Sequence, residues 1–510
     1  MESRIPDCLT PRPKDPKWRP PLDPLDLAVR LEAEGVTDTV AAESFGFDST
    51  IAMAAHYYPS VGAHTPPPPV VSPPERSGLR SYLLGISFAL PMLCCALTLL
   101  AAGFSLWGGD VSGDVASAVA IGTVASFIVT GGFVQAMARR GLFYIGVGEY
   151  KAAASICRRW GMMAAGALGG SVLLGLALNR YYGWLPWPLD LTAAAFALLL
   201  GGFWLVTGVL YMIERNAWIT ISTVSGIALV GLLHKLGGAP LVPSQLAGIT
   251  LAAAVAAFDV RRWFRARCAG DRSVARPFQL GLELYLAGPY FAYGLLYYVF
   301  LFADRIVAWT AHTTGGALPL AFRGDYETAL DLAMIAFALQ VGWVHSSLVA
   351  FQTRARIGQA VFRVEEAWRF NRDLQSFYLR SLARYAPLAA AISLAIFVLT
   401  RRLLPGSGMT PGSGMTMVLG ISLLAFPVLV AGLWNVSLLF SLDKAKPVIS
   451  AAATGAAASL AVGYLLSRMG TYDAAVFGFL AGAFGFAALT TFAVLRTLSK
   501  LDHHYFASAI

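Results

Sequence analysis

Twelve apolar segments of about 20 residues follow one another between residues 81 and 495. An α-helix needs about 20 residues to cross the hydrocarbon core of a bilayer. With 57% hydrophobic and only 13% charged residues, a chain of 510 residues has too little polar surface for a water-soluble globule. The sequence therefore predicts an all-α integral membrane protein. The predicted spans are 81–105, 114–137, 160–178, 190–212, 217–234, 241–258, 280–302, 327–351, 386–400, 416–440, 446–466 and 474–495.

Lys and Arg are distributed unevenly between the two sides of these spans. If both termini are cytoplasmic, only seven of the 38 basic residues lie in outer segments, namely Arg180, Lys235, Arg305, Arg323, Arg401, Arg402 and Arg468. Basic residues in short loops stay on the cytoplasmic side. The sequence thus predicts a multi-pass protein of the cytoplasmic (inner) membrane with both termini in the cytoplasm. The net charge of +9 reflects this topology and contact with anionic lipid, not nucleic-acid binding.

The spans divide into two groups of six around the basic segment DVRRWFRARCAGDRSVARP. The predicted membrane regions are a first six-helix lobe at 81–258, a cytoplasmic hinge at 259–279, a second six-helix lobe at 280–495 and a cytoplasmic tail at 496–510. Long connections follow the second span of each lobe, at 139–159 and 354–384, and their composition predicts amphipathic helices in the headgroup layer. This repetition predicts two lobes related by a pseudo-two-fold axis along the membrane normal, with the substrate site between them.

The residues before the first span have a different composition, because they carry 14 of the 27 prolines. We predict a disordered Pro-rich leader at 1–24, a small cytoplasmic helical module at 25–58 and a Pro-rich linker at 59–80. The module is predicted from apolar residues at helical spacing, and a solvated segment resting on the membrane surface is the alternative. No cleaved signal peptide is predicted.

Motifs for soluble chemistry are missing from the sequence. It contains no G-x-x-x-x-G-K-[ST] loop for nucleotide hydrolysis, and its five cysteines show neither metal-ligand spacing nor a disulfide framework. We therefore predict a protein that is not an enzyme, with no catalytic residues, no cofactor and no metal.

Polar side chains inside the predicted spans are functional candidates, because they are costly in lipid. The candidates for a substrate path or ion coupling are Glu283, Asp304, Arg305, Asp331, Gln340 and His345. On an ideal helix Asp331 and His345 share one face and Gln340 points to the opposite side. We predict that the Asp331 and His345 face, with Glu283, lines a polar path between the lobes. The structural alternatives are snorkelling or a local ion pair for Asp304 and Arg305, an interhelical hydrogen bond for His345 and a headgroup position for Glu283.

Aromatic side chains accompany these polar residues. The candidates for stacking on sugar rings are Tyr290, Tyr293, Tyr297, Tyr298 and Trp343. Packing between helices, or a belt at the membrane interface, is the alternative for all five.

Three consecutive segments of the second half carry a family resemblance. They are YLAGPYFAYGLLYYVFLFADRIVAWTA, GDYETALDLAMIAFALQVGWV and a charged helix that ends RSLARYAPL, within about 281–388. They resemble the membrane transporter of Pel-type exopolysaccharide export systems, a family of the multidrug/oligosaccharidyl-lipid/polysaccharide (MOP) flippase superfamily. The family's acidic-basic pair and following aromatic residue correspond to Asp304, Arg305 and Trp309. This chain has Arg where the family has Lys, and HSSLVAFQ at 345–352 replaces an acidic, Tyr-rich segment.

The resemblance implies a transporter that moves a polysaccharide or lipid-linked saccharide by alternating access, or through a regulated conduit, between the two lobes. The implied partners are membrane lipids, the saccharide substrate, a cytoplasmic glycosyltransferase and other export-system subunits. Three alternatives remain: a membrane scaffold, a polyprenyl-dependent membrane enzyme of cell-envelope glycan assembly, and a major-facilitator transporter. The last usually has a short G-x-x-x-D-R-x-G-R-like loop after its second span, whereas this chain has about twenty residues there without the acidic residue.

Overall fold

A computed structural model of the chain describes residues 21, 23–33, 35–62, 78–271, 279–311, 320–362, 366–403 and 412–501. Within these residues the only extended pairing is an isolated antiparallel bridge between Phe104 and Gly109. The helices are α1 (Pro24–Ala33), α2 (Asp38–Phe45), α3 (Thr50–Gly62), α4 (Gly78–Ser87), α5 (Leu90–Ala102), α6 (Gly113–Gly146), α7 (Tyr150–Tyr182), α8 (Trp187–Met212), α9 (Asn216–Gly231), α10 (Leu241–Cys268), α11 (Leu280–Trp309), α12 (Gly324–Val361), α13 (Ala367–Leu403), α14 (Ser413–Ser441), α15 (Ala445–Met469) and α16 (Val476–Leu498).

The chain forms two compact units, Met1–Glu75 with Arg356–Val361, and Arg76–Ala355 with Phe362–Ile510. In the smaller unit, α1, α2 and α3 surround a core of their own, built from Leu27, Ala28, Leu31, Val36, Ala41, Met53, Ala54 and Tyr57. Gly46 ends α2 in the left-handed conformation with a φ of 74°, which suits glycine. The structure thus shows three helices at the position of the predicted module. Most of the predicted leader, and residues 63–77 of the linker, lie outside the described residues.

Asp38 links α2 to α3, because its Oδ1 accepts a hydrogen bond from the backbone N–H of Thr50 at 2.7 Å. Hydrogen bonds from Thr50 lower the pKa of Asp38 from its ordinary value of 3.8. A carboxyl with a lowered folded-state pKa stabilises the fold above its ordinary pKa, and this stabilisation is lost as the pH falls through the folded-state pKa. We expect hydrogen exchange of the Thr50 amide, corrected for intrinsic rate, to be slow at neutral pH and fast at pH values below the folded-state pKa of Asp38. Asp38→Asn should remove the pH dependence, whereas Glu43→Gln on the same helix should preserve it.

Within the described residues eleven helices are long and apolar enough to cross a membrane, and the number is twelve if the bent pair α4 and α5 is one span. The prediction of about twelve spans is confirmed. The first span was predicted as continuous, but its two helices meet at an angle of 62°. Pro91 lies in the first turn of α5 and has no backbone N–H to continue the hydrogen bonding of α4, so the helix breaks before it.

The two long connections differ from the sequence prediction. The first connection, at 139–159, does not form a separate surface helix. Its residues belong to α6 and α7, which are 34 and 33 residues long and are joined by residues 147–149. Gly148 turns the chain there with a φ of 81°. The second connection likewise belongs to the ends of α12 and α13, which are 38 and 37 residues long. The amphipathic pattern correctly predicted helical structure in these connections. The helices, however, are extensions of the membrane-spanning helices and not separate helices on the surface.

The two lobes are α4 to α10 and α11 to α16. In the first, α6 packs on α8 and α9 packs on α10; in the second, α14 and α15 both pack on α16. Between the lobes, α11 packs on α6, and α4 packs on α12. The first span of each lobe therefore contacts the second span of the other, as two pseudo-symmetric lobes require. We call the membrane side on which α10 ends and α11 begins the hinge side, and the opposite side the far side.

The crossing of α4 and α12 depends on two glycines. A Cβ at Gly85 would lie 2.7 Å from Cα of Gly342, and a Cβ at Gly342 would lie 2.8 Å from the carbonyl oxygen of Tyr82. Tyr82 also donates its hydroxyl hydrogen to the carbonyl oxygen of Leu339 at 2.8 Å. The backbones of the two helices are therefore in direct contact.

Gly342→Leu should force α4 and α12 apart. Overpacking of a tight site costs about 1–3 kcal/mol, so we expect the variant in detergent to unfold at a lower temperature than the wild type, as measured by circular dichroism. Gly166→Leu is the matched control, because a Cβ at Gly166 in α7 has no atom within 4 Å. An equal loss of stability in both variants would contradict the importance of this crossing.

Candidate functional site

A cluster of charged side chains lies between the far-side end of α11 and the start of α12. Nη1 of Arg305 is 2.5 Å from Oε2 of Glu327, and Nη2 of Arg305 is 3.9 Å from Oδ1 of Asp331. Tyr326 donates its hydroxyl hydrogen to Oδ2 of Asp304 at 2.7 Å. The cluster therefore holds three carboxyl groups and one guanidinium, which pairs with Glu327 and Asp331.

Helical spacing brings these groups together. Arg305 and Trp309 are four residues apart in α11, and Glu327 and Asp331 are four apart in α12, so each pair shares one face of its helix. Nε1 of Trp309 donates a hydrogen bond to Oε1 of Glu327 at 2.9 Å, while Arg305 binds the other oxygen. Both Glu327 oxygens are thus held, and α11 is fixed against α12.

The three carboxyl groups differ in exposure. Asp304 and Glu327 are 1% and 6% exposed, whereas the side chain of Asp331 is 34% exposed. Full ionisation would leave the cluster with an excess of two negative charges over Arg305, which is costly inside a membrane. The arrangement therefore favours binding of a proton or another small cation, and Asp331 is the group that it can reach most readily.

The face of α12 that begins at Asp331 is turned toward the first lobe. Ile335 and Ala338, one and two turns along, pack in one apolar cluster with Ala89 at the break between α4 and α5. Asp331 itself lies within electrostatic range of Cys95 in α5. The exposed carboxyl of the cluster is therefore at the interface between the lobes.

His345 lies on the same face of α12, nearer the hinge side. Its ring centroid is 5.7 Å from that of Phe88, and its Cβ is next to Gly85 at the crossing with α4. The structure therefore brings both Asp331 and His345 to the lobe interface, one on each side of the tight crossing.

Gln340 and Trp343 point into the second lobe. Oε1 of Gln340 accepts a hydrogen bond from the hydroxyl of Tyr385 at 2.6 Å. The Trp343 ring stacks on Tyr385 with centroids 4.1 Å apart and meets Trp434 edge-on at 4.7 Å. Both side chains are buried. In this structure α13 and α14 occupy the faces of both residues, so a role for Gln340 in the path and stacking of Trp343 on sugar rings stay predictions.

Glu283 does not join the Asp331 and His345 face. Nε and Nη2 of Arg140 in α6 bind its two carboxylate oxygens at 2.7 and 2.8 Å, and Nη2 also contacts the Tyr144 hydroxyl at 3.2 Å. Glu283 is only 4% exposed, at the hinge-side end of α11. A buried carboxylate requires such a partner, and this one ties the two lobes together.

A second contact between the lobes lies beside this ion pair. Oδ1 of Asp443, in the turn between α14 and α15, accepts a hydrogen bond from the Tyr290 hydroxyl at 2.7 Å and pairs with Nη2 of Arg139 in α6 at 2.8 Å. The Arg139 guanidinium lies 5.0 Å from the centre of the Tyr290 ring. Tyr290 therefore contributes a polar bridge on the hinge side.

The other three candidate tyrosines of α11 pack against protein rings. Tyr293 is buried against Phe440, with centroids 5.1 Å apart. Tyr298 stacks on Phe127 of α6 at 5.2 Å, and Tyr297 lies between the two tyrosines, with its ring 5.8 Å from Tyr293. In this structure Tyr293 packs on α14 and Tyr298 on α6, so stacking of these tyrosines on sugar stays a prediction.

Sequence reasoning missed several residues of these sites. Glu327 and Tyr326 lie in the GDYET segment, and the four-residue spacing of Glu327 and Asp331 was a usable signal. Arg140 was counted only as a topological charge. Its partner lies 143 positions away, and no local pattern reveals that distance.

Two lobes of six membrane helices, with a cluster of charged side chains between α11 and α12 of the second lobe, are typical of a polytopic membrane transporter. Residues 85–506 match the family model described as "PelG: Putative exopolysaccharide Exporter (EPS-E)". The chain belongs to this family. The α1 to α3 unit precedes the matched residues.

Solved structures of transporters of the MATE family share this fold at low identity. An outward-facing MATE transporter of the MOP superfamily is 14% identical, with a TM-score of 0.55, and covers 84% of this chain and 98% of its own. An inward-facing MATE transporter of the MOP superfamily is 13% identical, with a TM-score of 0.54, and the match covers 85% of this chain and 97% of that chain. A MATE structure in the straight conformation is 14% identical, with a TM-score of 0.57, and the match covers 84% of this chain and 97% of that chain. No curated protein sequence matches the chain. The similarity shows the fold, and it favours neither conformation.

Proposed function

We propose that the transporter moves an exopolysaccharide, or a lipid-linked saccharide, across the cytoplasmic membrane between its two lobes, and that binding of a proton at Asp331 drives the change of conformation. The observation that carries this proposal is the third carboxyl of the Arg305 cluster, which is partly exposed at the lobe interface while its two neighbours are buried. Family membership supports the saccharide as cargo.

A proton suits this cluster better than a metal ion. Within the described residues no group of three or more His, Cys, Asp and Glu side chains could hold a metal ion. Arg305 already pairs with two of the three carboxyl groups and would repel a second cation. Protonation of Asp331 removes one excess charge and its attraction to Arg305, so it changes the contact between α12 and the lobe interface.

The hinge side faces the cytoplasm in this proposal, because it carries most of the Lys and Arg residues. There the lobes are joined by the Arg140–Glu283 and Arg139–Asp443 ion pairs. The contact of Gly85 with Gly342 closes the same half of the interface. Opening toward the cytoplasm therefore requires these contacts to break, whereas Asp331 lies beyond them toward the far side.

Deletion of the gene, followed by analysis of surface and lipid-linked glycans, tests the proposed cargo. Loss of exported polymer without a lipid-linked intermediate identifies a polymer conduit. Accumulation of an inward-facing lipid-linked saccharide identifies a flippase. Unchanged surface glycan and unchanged intermediates would refute saccharide export.

A second function, recruitment of a cytoplasmic glycosyltransferase, is supported by the separate unit of α1 to α3. This unit has its own core and precedes the residues that match the family. Deleting residues 21–62 should reduce polymer synthesis while the membrane lobes remain folded and inserted. Normal polymer output from this variant, at normal expression, would refute a recruitment role.

A further inference from the structure

A cavity of about 290 Å³ in the first lobe has no part in the proposed transport path. It lies between α6, α7 and α8, and small residues create its space. They are Gly122, Ala125, Ser171, Gly175, Ala193, Ala194 and Ala197. Gly175 and Leu178 line it and are exposed on α7, so the cavity opens on the surface of the lobe that faces lipid. Its volume lies at the small end of ligand pockets, which hold about 300–1,000 Å³.

One end of this cavity is polar. Asp190, in the first turn of α8, is 6% exposed and lines the cavity. Nδ2 of Asn179 donates a hydrogen bond to its Oδ2 at 2.9 Å, and within the described part of the chain no hydrogen bond reaches its Oδ1. The cavity is therefore an apolar space that ends at Oδ1 of Asp190, and this oxygen can accept a hydrogen bond from a ligand.

The polar end lies at the level of the membrane interface. Exposed aromatic residues surround the turn between α7 and α8, where Tyr181 is 81%, Tyr182 56% and Trp187 57% exposed. Such residues mark the headgroup layer. Arg180, which follows Asn179, is exposed at the same level. The buried carboxyl of Asp190 thus lines an apolar cavity near the interface, and Arg180 is exposed one residue after the cavity-lining Asn179.

We propose that this cavity binds one acyl chain of a membrane phospholipid with an ammonium headgroup. The lipid's ammonium donates a hydrogen bond to Oδ1 of Asp190, and its phosphate pairs with Arg180. The chain lies along the glycine and alanine residues of α6, α7 and α8. Leu320, from the segment before α12, closes the cavity from the second lobe. The bound lipid therefore contacts both lobes.

Native mass spectrometry of the delipidated, full-length transporter tests this site. Phosphatidylethanolamine, phosphatidylcholine and phosphatidylglycerol with identical chains are added separately. We expect phosphatidylethanolamine to bind at least about tenfold more tightly than the other two, because only its headgroup donates N–H hydrogen bonds to a carboxylate. Asp190→Asn should remove this preference. Equal binding of the three lipids, or an unchanged preference in Asp190→Asn, would overturn the proposal.

Matched variants separate this cavity from general lipid binding. Gly175→Phe should fill the cavity and abolish the selective binding, whereas Gly166→Phe should preserve it, since an added Cβ has no atom within 4 Å at either position. Asp114→Asn is the carboxyl control, because Asp114 is exposed in the first turn of α6 on the same membrane side. Selective binding that survives Gly175→Phe would place the lipid elsewhere. Dodecylammonium is the probe for a soluble amphiphile. If it binds in an Asp190-dependent manner while phosphatidylethanolamine does not bind, the cavity holds a soluble amphiphile and the proposal of a bound lipid is wrong.

Discussion

Asp331→Asn is expected to abolish polymer export while the transporter remains folded in the membrane. The amide keeps the size of the side chain but cannot bind and release a proton, so the attraction to Arg305, 3.9 Å away, no longer changes during the cycle. Because Asp331 is the most exposed of the three carboxyl groups, its loss leaves no buried charge unpaired. We expect export to fall at least about tenfold, measured as secreted polymer per amount of membrane-inserted protein.

Asp325→Asn is the matched control for this experiment. Asp325 lies in the first turn of α12 and is exposed, six residues before Asp331. Its variant should export polymer normally. Normal export by Asp331→Asn at normal expression would remove Asp331 from the coupling site, and equal losses in both variants would show a general effect of charge at this end of α12.

Arg140→Met should strongly destabilise the transporter. It leaves the Glu283 carboxylate buried without its partner, and the side chains of Arg140 and Glu283 are only 11% and 5% exposed. Removing one partner of a buried ion pair costs about 3–5 kcal/mol. We expect little folded protein after detergent extraction, measured by size-exclusion chromatography of a fluorescent fusion.

The double variant Arg140→Met with Glu283→Leu should recover most of the folded protein, because it removes both charges together. Arg139→Met tests the neighbouring pair, whose side chains are 45% and 69% exposed. Exposed pairs contribute about 0–1 kcal/mol, so this variant should fold almost normally. A double variant no more stable than Arg140→Met would show that packing of the long side chains, not their charge pairing, matters at this site.

The number and order of the membrane helices could be predicted because each span is a local property of the sequence. Runs of apolar residues and the placement of Lys and Arg suffice for that purpose. The same holds for the shared face of Asp331 and His345, since helical spacing fixes it before any partner is known. The break in the first span was also readable in principle, because Pro91 lies within it.

The partners of the polar residues could not be predicted in this way. Glu283 was placed on the transport path because a carboxyl in a span suggests function, yet it binds an arginine of the other lobe. Gln340 was a candidate because it is polar within a span, and Trp343 because its ring could stack on sugar, yet both contact Tyr385 of α13. Such contacts depend on how helices distant in sequence pack together. Composition shows that a buried polar group needs a partner, but the fold decides which partner it has.

The driving ion can be measured directly in liposomes that contain the purified transporter. Transport of the saccharide is followed under a pH gradient, under a Na⁺ gradient and with a protonophore. We predict transport that depends on the pH gradient, stops with the protonophore and is absent in Asp331→Asn. Transport that persists after the pH gradient collapses, or that follows the Na⁺ gradient alone, would contradict proton coupling at the Arg305 cluster.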